Sequence, residues 1–537
     1  MAAGLGMDVS HARGLASQLT AHLSTIDHLI SELSTTARAA DHPLSYGIGP
    51  GELVVAPWSA ATVRSAAADL RTARGAVEEM VRRVNAEAEA QIAASGNNGK
   101  LSRLIGTHGK KGPLSKLSDA ELLTYLSGLS AKELAEALAA DPGIADRIAE
   151  MPPDLIAGWW NSYDKPQKYA LIRAMPQILG NLEGVEYWAR DKANRAYLEA
   201  KIDELQGIRD DYIAMIDAGE TEAALAMLAE LGYTSGSLFT SYDAAIAVDK
   251  ALRDLPDGGK QPSLRQLVSL DLESDVPLAA ISIGDLDAAD NVSMLVPGVT
   301  TTVEGQMGGW ASTAENLWLE QSQLLERAGD DRSVAVVAWL GYDTPGSVAN
   351  LDFSVFNDDA ARAGGVHLAQ ALAGVSASRG WEPTDPRLDV VALSYGSTTA
   401  FSALTTASAG TLVVLGSTGP VDGIDSAADV QVREGQVWAT ESRADGIADL
   451  GRMFGRIDPT SNAFGANDFS SEQSDSGVAT TEHGGMVHFS EDDNFGYLDL
   501  GTESIRNVAL ITLDMQPSET PPPPPPPKVP NAFPGVR

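Results

Sequence analysis

The sequence predicts a mostly parallel α/β sheet with helices on both faces, preceded by an all-α N-terminal region. Two observations carry this expectation. From about Asp290 onward, short apolar runs alternate with stretches of helical period. Strands buried on both faces lose the polar–apolar alternation, and strands separated by helices pair in parallel. Before residue 270 the chain is rich in Ala, Leu and Glu, with apolar residues at helical spacing.

The first segment, residues 1–99, reads as a helical hairpin. Leu15, Leu19, Leu23, Ile26 and Ile30 form one stripe, and Val63, Ala67, Leu70, Val77 and Val81 form another. Each stripe needs a partner, and the short Gly- and Pro-containing connection makes the two helices antiparallel neighbours. Residues 100–270 read as a helical segment, with Ser118 and Ser130 each followed three residues later by Glu, a helix-start signature. In residues 271–515, NVSMLVPG (Asn291 to Gly298), SVAVVAWLGYD (Ser333 to Asp343), LDVVALSYG (Leu388 to Gly396), GTLVVLGS (Gly410 to Ser417) and GQVWAT (Gly435 to Thr440) read as strands. Residues 516–537 contain seven consecutive prolines and read as a polyproline tail without a packed core.

Bulk properties narrow the function. A net charge of −35 is opposed to a nucleic-acid-binding role, which needs cationic surface to neutralise phosphates. The chain has no cysteine, so disulfides, thiolate catalysis and thiolate metal sites are excluded. No run of about 18 apolar residues is present, so no transmembrane segment is expected. No metal-ligand spacing and no phosphate-binding glycine loop emerges, so no cofactor or metal is expected; the acidic clusters at Asp285, Asp287 and Asp290 and at Glu491 to Asp493 read as solvated loops.

Ser-x-Gly occurs in HPLSYGIGP, at Ser45, and in DVVALSYGSTTAF, at Ser394. A nucleophile elbow needs a buried strand, a tight turn at the serine and a helix that starts at once. Ser394 has all three, with the small Ala392 and Gly396 two residues to either side; Ser45 has no strand before it. Serine requires a base, and the base requires an orienting acid. Of eight histidines only His483 and His488 follow Ser394. His488, in GMVHFSEDDNFGYLD after a short β-like run, is the favoured base, with His483 as the alternative. Asp445, after the strand GQVWAT, is the expected acid, with Glu441 and Asp449 as alternatives. The N–H groups of Tyr395 and Val299 are the expected oxyanion donors, with Gly298 allowing close approach. Tyr342 and Asp343, at the end of the next strand, are candidates to shape the substrate site.

Taken together, VVALSYGSTT, VSMLVPG, VAWLGYDTPGS, GPVDGIDSAA and FGYLDLGTESIRNVA resemble the actinobacterial α/β-hydrolases long catalogued as a domain of unknown function. The likeness runs over roughly residues 150–515. It implies an α/β-hydrolase fold and a serine esterase or lipase acting on an ester or lipid-like small molecule. It carries the nucleophile to Ser394, the acid to Asp445 and, through a lengthened loop, the base to His488. The segment around Pro57-Trp58-Ser59-Ala60 resembles the WXG-type hairpins associated with type VII secretion, which implies a helical partner and export by that route, against a cytoplasmic alternative. The competing reading is a catalytically impaired hydrolase fold serving as an effector or scaffold.

Overall fold

The structure, a computed structural model, describes residues 117–140, 142–253, 264–346, 355, 357–382, 384–385, 387–447, 455–487 and 494–517. The hairpin, Ser45, Asp449, His488 and the proline tail lie outside the described residues.

The helical segment holds α1 (Asp119–Ser127), α2 (Ala131–Ala140), α3 (Pro142–Ala149), α4 (Pro153–Asn161), α5 (Lys165–Ala174), α6 (Pro176–Gly180), α7 (Tyr187–Asp217), α8 (Thr221–Glu230) and α9 (Ser235–Arg253). Ser118 and Glu121 close a capping box at α1, and Glu133 bonds back to Ser130 in the same way at α2. From α1 into α7, Leu122, Leu126, Ile156, Trp160, Leu179 and Val185 are among the side chains of one apolar core. The long α7 has no side-chain cap of its own. Asp287, in the loop after the second strand, accepts from the Tyr187 and Trp188 N–H groups at 2.8 and 2.6 Å and fills that role. One of the acidic residues expected to be merely solvated thus anchors the helical segment to the sheet.

The sheet contains β1 (Arg265–Asp271), β2 (Leu278–Ile283), β3 (Asn291–Val296), β4 (Val334–Leu340), β5 (Leu388–Leu393), β6 (Thr411–Leu415), β7 (Val437–Thr440) and β8 (Asn467–Asp468) in the order β1-β2-β4-β3-β5-β6-β7-β8. β2 is antiparallel to β1 and β4, and every other pair is parallel. Its helices are α10 (Val303–Ala328), α11 (Asp359–Arg379), α12 (Tyr395–Ala403) and α13 (Glu503–Thr512). Side chains alternate between two cores. Val391 and Leu393 pack toward α10 and α13, whereas Val390 and Ala392 pack toward α11 and α12. Both faces are covered, which is why β3, β4, β5 and β6 are buried along their whole length and read as mostly apolar runs.

Candidate active site

β5 ends at Leu393, and the chain reverses within one residue to start α12 at Tyr395. Ser394 occupies that corner with φ 55° and ψ −127°, a conformation that non-glycine residues adopt only when their surroundings enforce it. Here the enforcement is visible. The Ser394 N–H donates to the Leu415 carbonyl at 2.9 Å, and the Ser397 hydroxyl donates back to the Ser394 carbonyl at 2.5 Å. The corner is also tight against the loop after β3. A Cβ on Gly396 would lie 2.4 Å from the Pro297 carbonyl oxygen, and one on Gly298 would lie 2.9 Å from Ser394 Cβ. Both positions therefore require glycine.

Three side chains meet at this corner from separate parts of the chain. The ring of His483 lies with Nε2 2.7 Å from Ser394 Oγ and Nδ1 2.7 Å from Asp445 Oδ2. With Asp445 charged, Nδ1 carries the proton and donates to the carboxylate, and Nε2 accepts from the serine hydroxyl. Asp445 follows β7 on a turn closed by its N–H donating to the Ser442 carbonyl at 3.0 Å. Its carboxylate also accepts from the Tyr497 hydroxyl at 2.8 Å and the Ile447 N–H at 2.9 Å. Burial pushes this carboxyl up, but the bonds from His483, Tyr497 and Ile447 outweigh it and hold the group below the ordinary carboxylate range. A Cβ on Gly416, which has φ 51°, would sit 2.7 Å from Asp445 Oδ2, so glycine keeps this space open for the carboxylate.

The ring that reaches Ser394 belongs to His483 rather than to His488, which the sequence reading favoured. Its loop is held by a second stretch of chain. Thr481 and Glu482 N–H donate to the Phe495 carbonyl, and the Tyr497 and Leu498 N–H groups donate to the carbonyls of Gly484 and Gly485 at 2.8 and 2.6 Å. A Cβ on Gly496 would come within 2.4 Å of the Gly484 oxygen. The stretch TEHGGM looked like a soft glycine loop. Its glycines are instead where two backbone segments touch, and the Gly-Gly after the histidine was the signal available in sequence. Tyr497 is a further residue that sequence reasoning missed. Its hydroxyl donates to Asp445 and accepts from the Ser442 N–H at 3.0 Å.

The remaining expected site residues divide. Gly298 and Val299 line a cavity of about 270 Å³ over Ser394, together with His483, Leu393, Trp310 and Met486. The Tyr395 N–H is in the first turn of α12, where N–H groups have no intrahelical acceptor. Its side chain points away, its hydroxyl donating to the Asn357 carbonyl. Tyr342 and Asp343 do not line the cavity. Tyr342 is buried, stacked on Trp339, and its hydroxyl donates to the Pro297 carbonyl at 2.7 Å. The Thr300 N–H donates to Pro345 O at 2.9 Å, and the Thr344 hydroxyl donates to Thr301 O at 3.1 Å. Tyr342 thus braces the Pro297–Thr301 loop from behind, and Asp343 is exposed. Among the described residues no group of three or more His, Asp or Glu is arranged to hold a metal ion, and no helix is long and apolar enough to cross a membrane.

Residues 273–454 match the model of a family described as alpha/beta hydrolase. The fold is that of an α/β-hydrolase. Ser394 and Asp445 fall inside the matched range, and His483 falls beyond it. Two uncharacterized Mycobacterium tuberculosis proteins are similar to the chain. One is 29% identical over 300 residues, which are 55% of this chain and 44% of that protein. The other is 33% identical over 135 residues, 24% of this chain and 48% of that protein. The chain therefore spans under half the length of these relatives. Among solved structures, an arylesterase aligns over 57% of this chain and 98% of its own, at 10% identity and a TM-score of 0.28. The structure of esterase PE8 aligns over 43% of this chain and 94% of its own, at 12% identity and a TM-score of 0.27.

Proposed function

We propose that the protein is a serine hydrolase that cleaves carboxylic esters through an acyl-enzyme on Ser394. The observation that carries this reading is the His483 ring bonded on one side to Ser394 Oγ and on the other to Asp445, each at 2.7 Å. Ser394 Oγ attacks the ester carbonyl carbon while its proton passes to His483 Nε2. The carbonyl electron pair moves onto oxygen, where the N–H groups of Tyr395 and Val299 stabilise the charge. Collapse of this intermediate breaks the bond to the alkoxide, which leaves as alcohol with the proton from Nε2. A water then repeats the sequence on the acyl-enzyme, and the free acid departs. Asp445 keeps the ring in the tautomer that leaves Nε2 free to accept and offsets the imidazolium charge as it forms. Tyr497 and the Ile447 N–H hold that carboxylate in place. The buried corner, the helix start and the closely pressed Gly298 all support the same chemistry.

A fluorophosphonate probe tests the proposal. It should label the native protein and fail to label Ser394→Ala, and p-nitrophenyl esters should be hydrolysed by the native protein alone. Folded native protein that neither reacts with the probe nor turns over any ester would refute the reading and favour a scaffold role.

A further inference from the structure

We propose that the cavity beside Ser394 is a short-acyl pocket and that Gly309 sets its length limit. This rests on the ester-cleaving reading above and names the substrate class of that same site.

The pocket wall comes largely from one face of α10. Gln306, Gly309, Trp310 and Thr313 follow the i, i+3, i+4, i+7 spacing of a single helix face, and all four line the cavity. Trp310 is fixed, being buried with its indole N–H donating to the Leu295 carbonyl at 3.3 Å. A Cβ on Gly485, from the base-bearing loop, would lie 3.0 Å from the Trp310 ring and 3.3 Å from the Thr313 methyl. The floor is therefore closed where helix and loop meet, with no room for a side chain on Gly485 against Trp310 and Thr313.

Capacity follows from volume. A cavity of about 270 Å³ holds roughly nine water-sized groups at about 30 Å³ each, and a methylene is of similar size. After the ester group itself is seated, room remains for an acyl chain of about four to six carbons. Each methylene buried up to that limit should raise kcat/KM about fourfold, and those beyond it should add nothing or hinder.

Gly309 is a solvent-exposed lining position of this space and contributes no side chain to it. It lines the cavity, and a Cβ built on it meets nothing within 4 Å. Gly308 is its natural control: it lies on the same helix, a Cβ there also meets nothing within 4 Å, and it does not line the cavity. Leucine at either position replaces a glycine by a strong helix former, so neither exchange weakens α10.

The test is a p-nitrophenyl ester series from acetyl to dodecanoyl, run on the full chain, on Gly309→Leu and on Gly308→Leu, with fluorophosphonate labelling in parallel. The native protein should peak between butyryl and hexanoyl. Gly309→Leu should move the peak to acetyl or propionyl and lower the hexanoyl-to-acetyl ratio of kcat/KM by about tenfold or more, the equivalent of two or so methylenes. Gly308→Leu should keep the native profile. An optimum at decanoyl or longer, or identical profiles for the two leucine variants, overturns the pocket assignment while leaving ester cleavage standing. Absence of both turnover and labelling overturns the two readings together.

Discussion

Asp389 in β5 and Asp445 on the turn after β7 are both buried carboxyls, and their titration is shifted in opposite directions. Asp445 is surrounded by donors and is held below the ordinary carboxylate range. Asp389, near the start of β5, is fully buried, and neither of its carboxyl oxygens has a hydrogen-bond partner. Burial pushes it well above the ordinary range, and the Thr411 hydroxyl and the Arg433 charge offset only part of that. Two aspartates with nearly the same exposure are therefore shifted in opposite directions. Burial sets the cost of ionisation; the number of donors around the group decides whether that cost is met. β5 joins the two, with Asp389 near its start and, just past its end, Ser394 bonded through His483 to Asp445.

The largest test of this contrast is Asp445→Asn. It keeps the shape but puts a neutral amide, with a donor NH2 in place of one carboxylate oxygen, against His483 Nδ1, so the ring loses its fixed tautomer. The expected loss is about 10⁴-fold in kcat on a short p-nitrophenyl ester, together with a lower thermal midpoint at neutral pH, where the ionised carboxylate stabilises the fold. A loss of less than about tenfold would mean that the carboxylate does not govern the ring.

The matching exchange at the other carboxyl has the opposite sign. Asp389 has a raised folded-state pKa, so its contribution to stability is complete below the unfolded value and is lost as pH rises through the folded one. Asp445 has a lowered folded-state pKa, so its contribution is present above the unfolded value and is lost as pH falls through the folded one. Asp389→Asn removes the first dependence. Its stability relative to the native protein should therefore climb by about 1.4 kcal/mol per pH unit inside the Asp389 window. Thermal melts of the two proteins at several pH values measure this, and a constant difference across pH would show that Asp389 does not titrate as described.

A smaller effect is expected from Tyr497→Phe, which deletes one of the Asp445 donors and the acceptor for Ser442 N–H. Stability should drop by about 1–2 kcal/mol, because a buried N–H is left without its partner. Turnover should drop less than in Asp445→Asn, because His483 keeps its carboxylate. Parallel measurement of unfolding free energy and kcat separates the two, and a loss of kcat as large as that of Asp445→Asn would make Tyr497 the true governor of the carboxylate.

How much of this was readable in the sequence depends on how local the cause is. The five central strands were legible because burial leaves short, mostly apolar runs, and Ser394 was legible because strand, corner and helix are contiguous. β1 and β2 were not read as strands. RQLVSLD keeps polar residues at intervals, and its register slips between Leu267 and Ser269. β8 is two residues long and exists only through its pairing with β7. The base was the least legible. The Gly484-Gly485 pair was the one local signal for His483; its placement comes from Phe495, Tyr497 and Leu498 bonding the loop from the other side. Tyr342 was singled out for its position at a strand end. It does serve the neighbourhood of Ser394, but as a brace on Pro297, because its hydroxyl is spent on a carbonyl rather than turned toward the cavity.

The order in which these groups emerge along the polypeptide has a consequence for biogenesis. Ser394, Asp445 and His483 appear in that sequence, and the clasp that seats the imidazole arrives later still, with Phe495 to Leu498. A nascent chain extended only past Asp445 already contains the alcohol and the acid, yet has nothing to withdraw the proton. Under the proposed mechanism, reactivity would be deferred until the C-terminal clasp closes, and a ribosome-bound intermediate would be chemically silent however much of its sheet had formed.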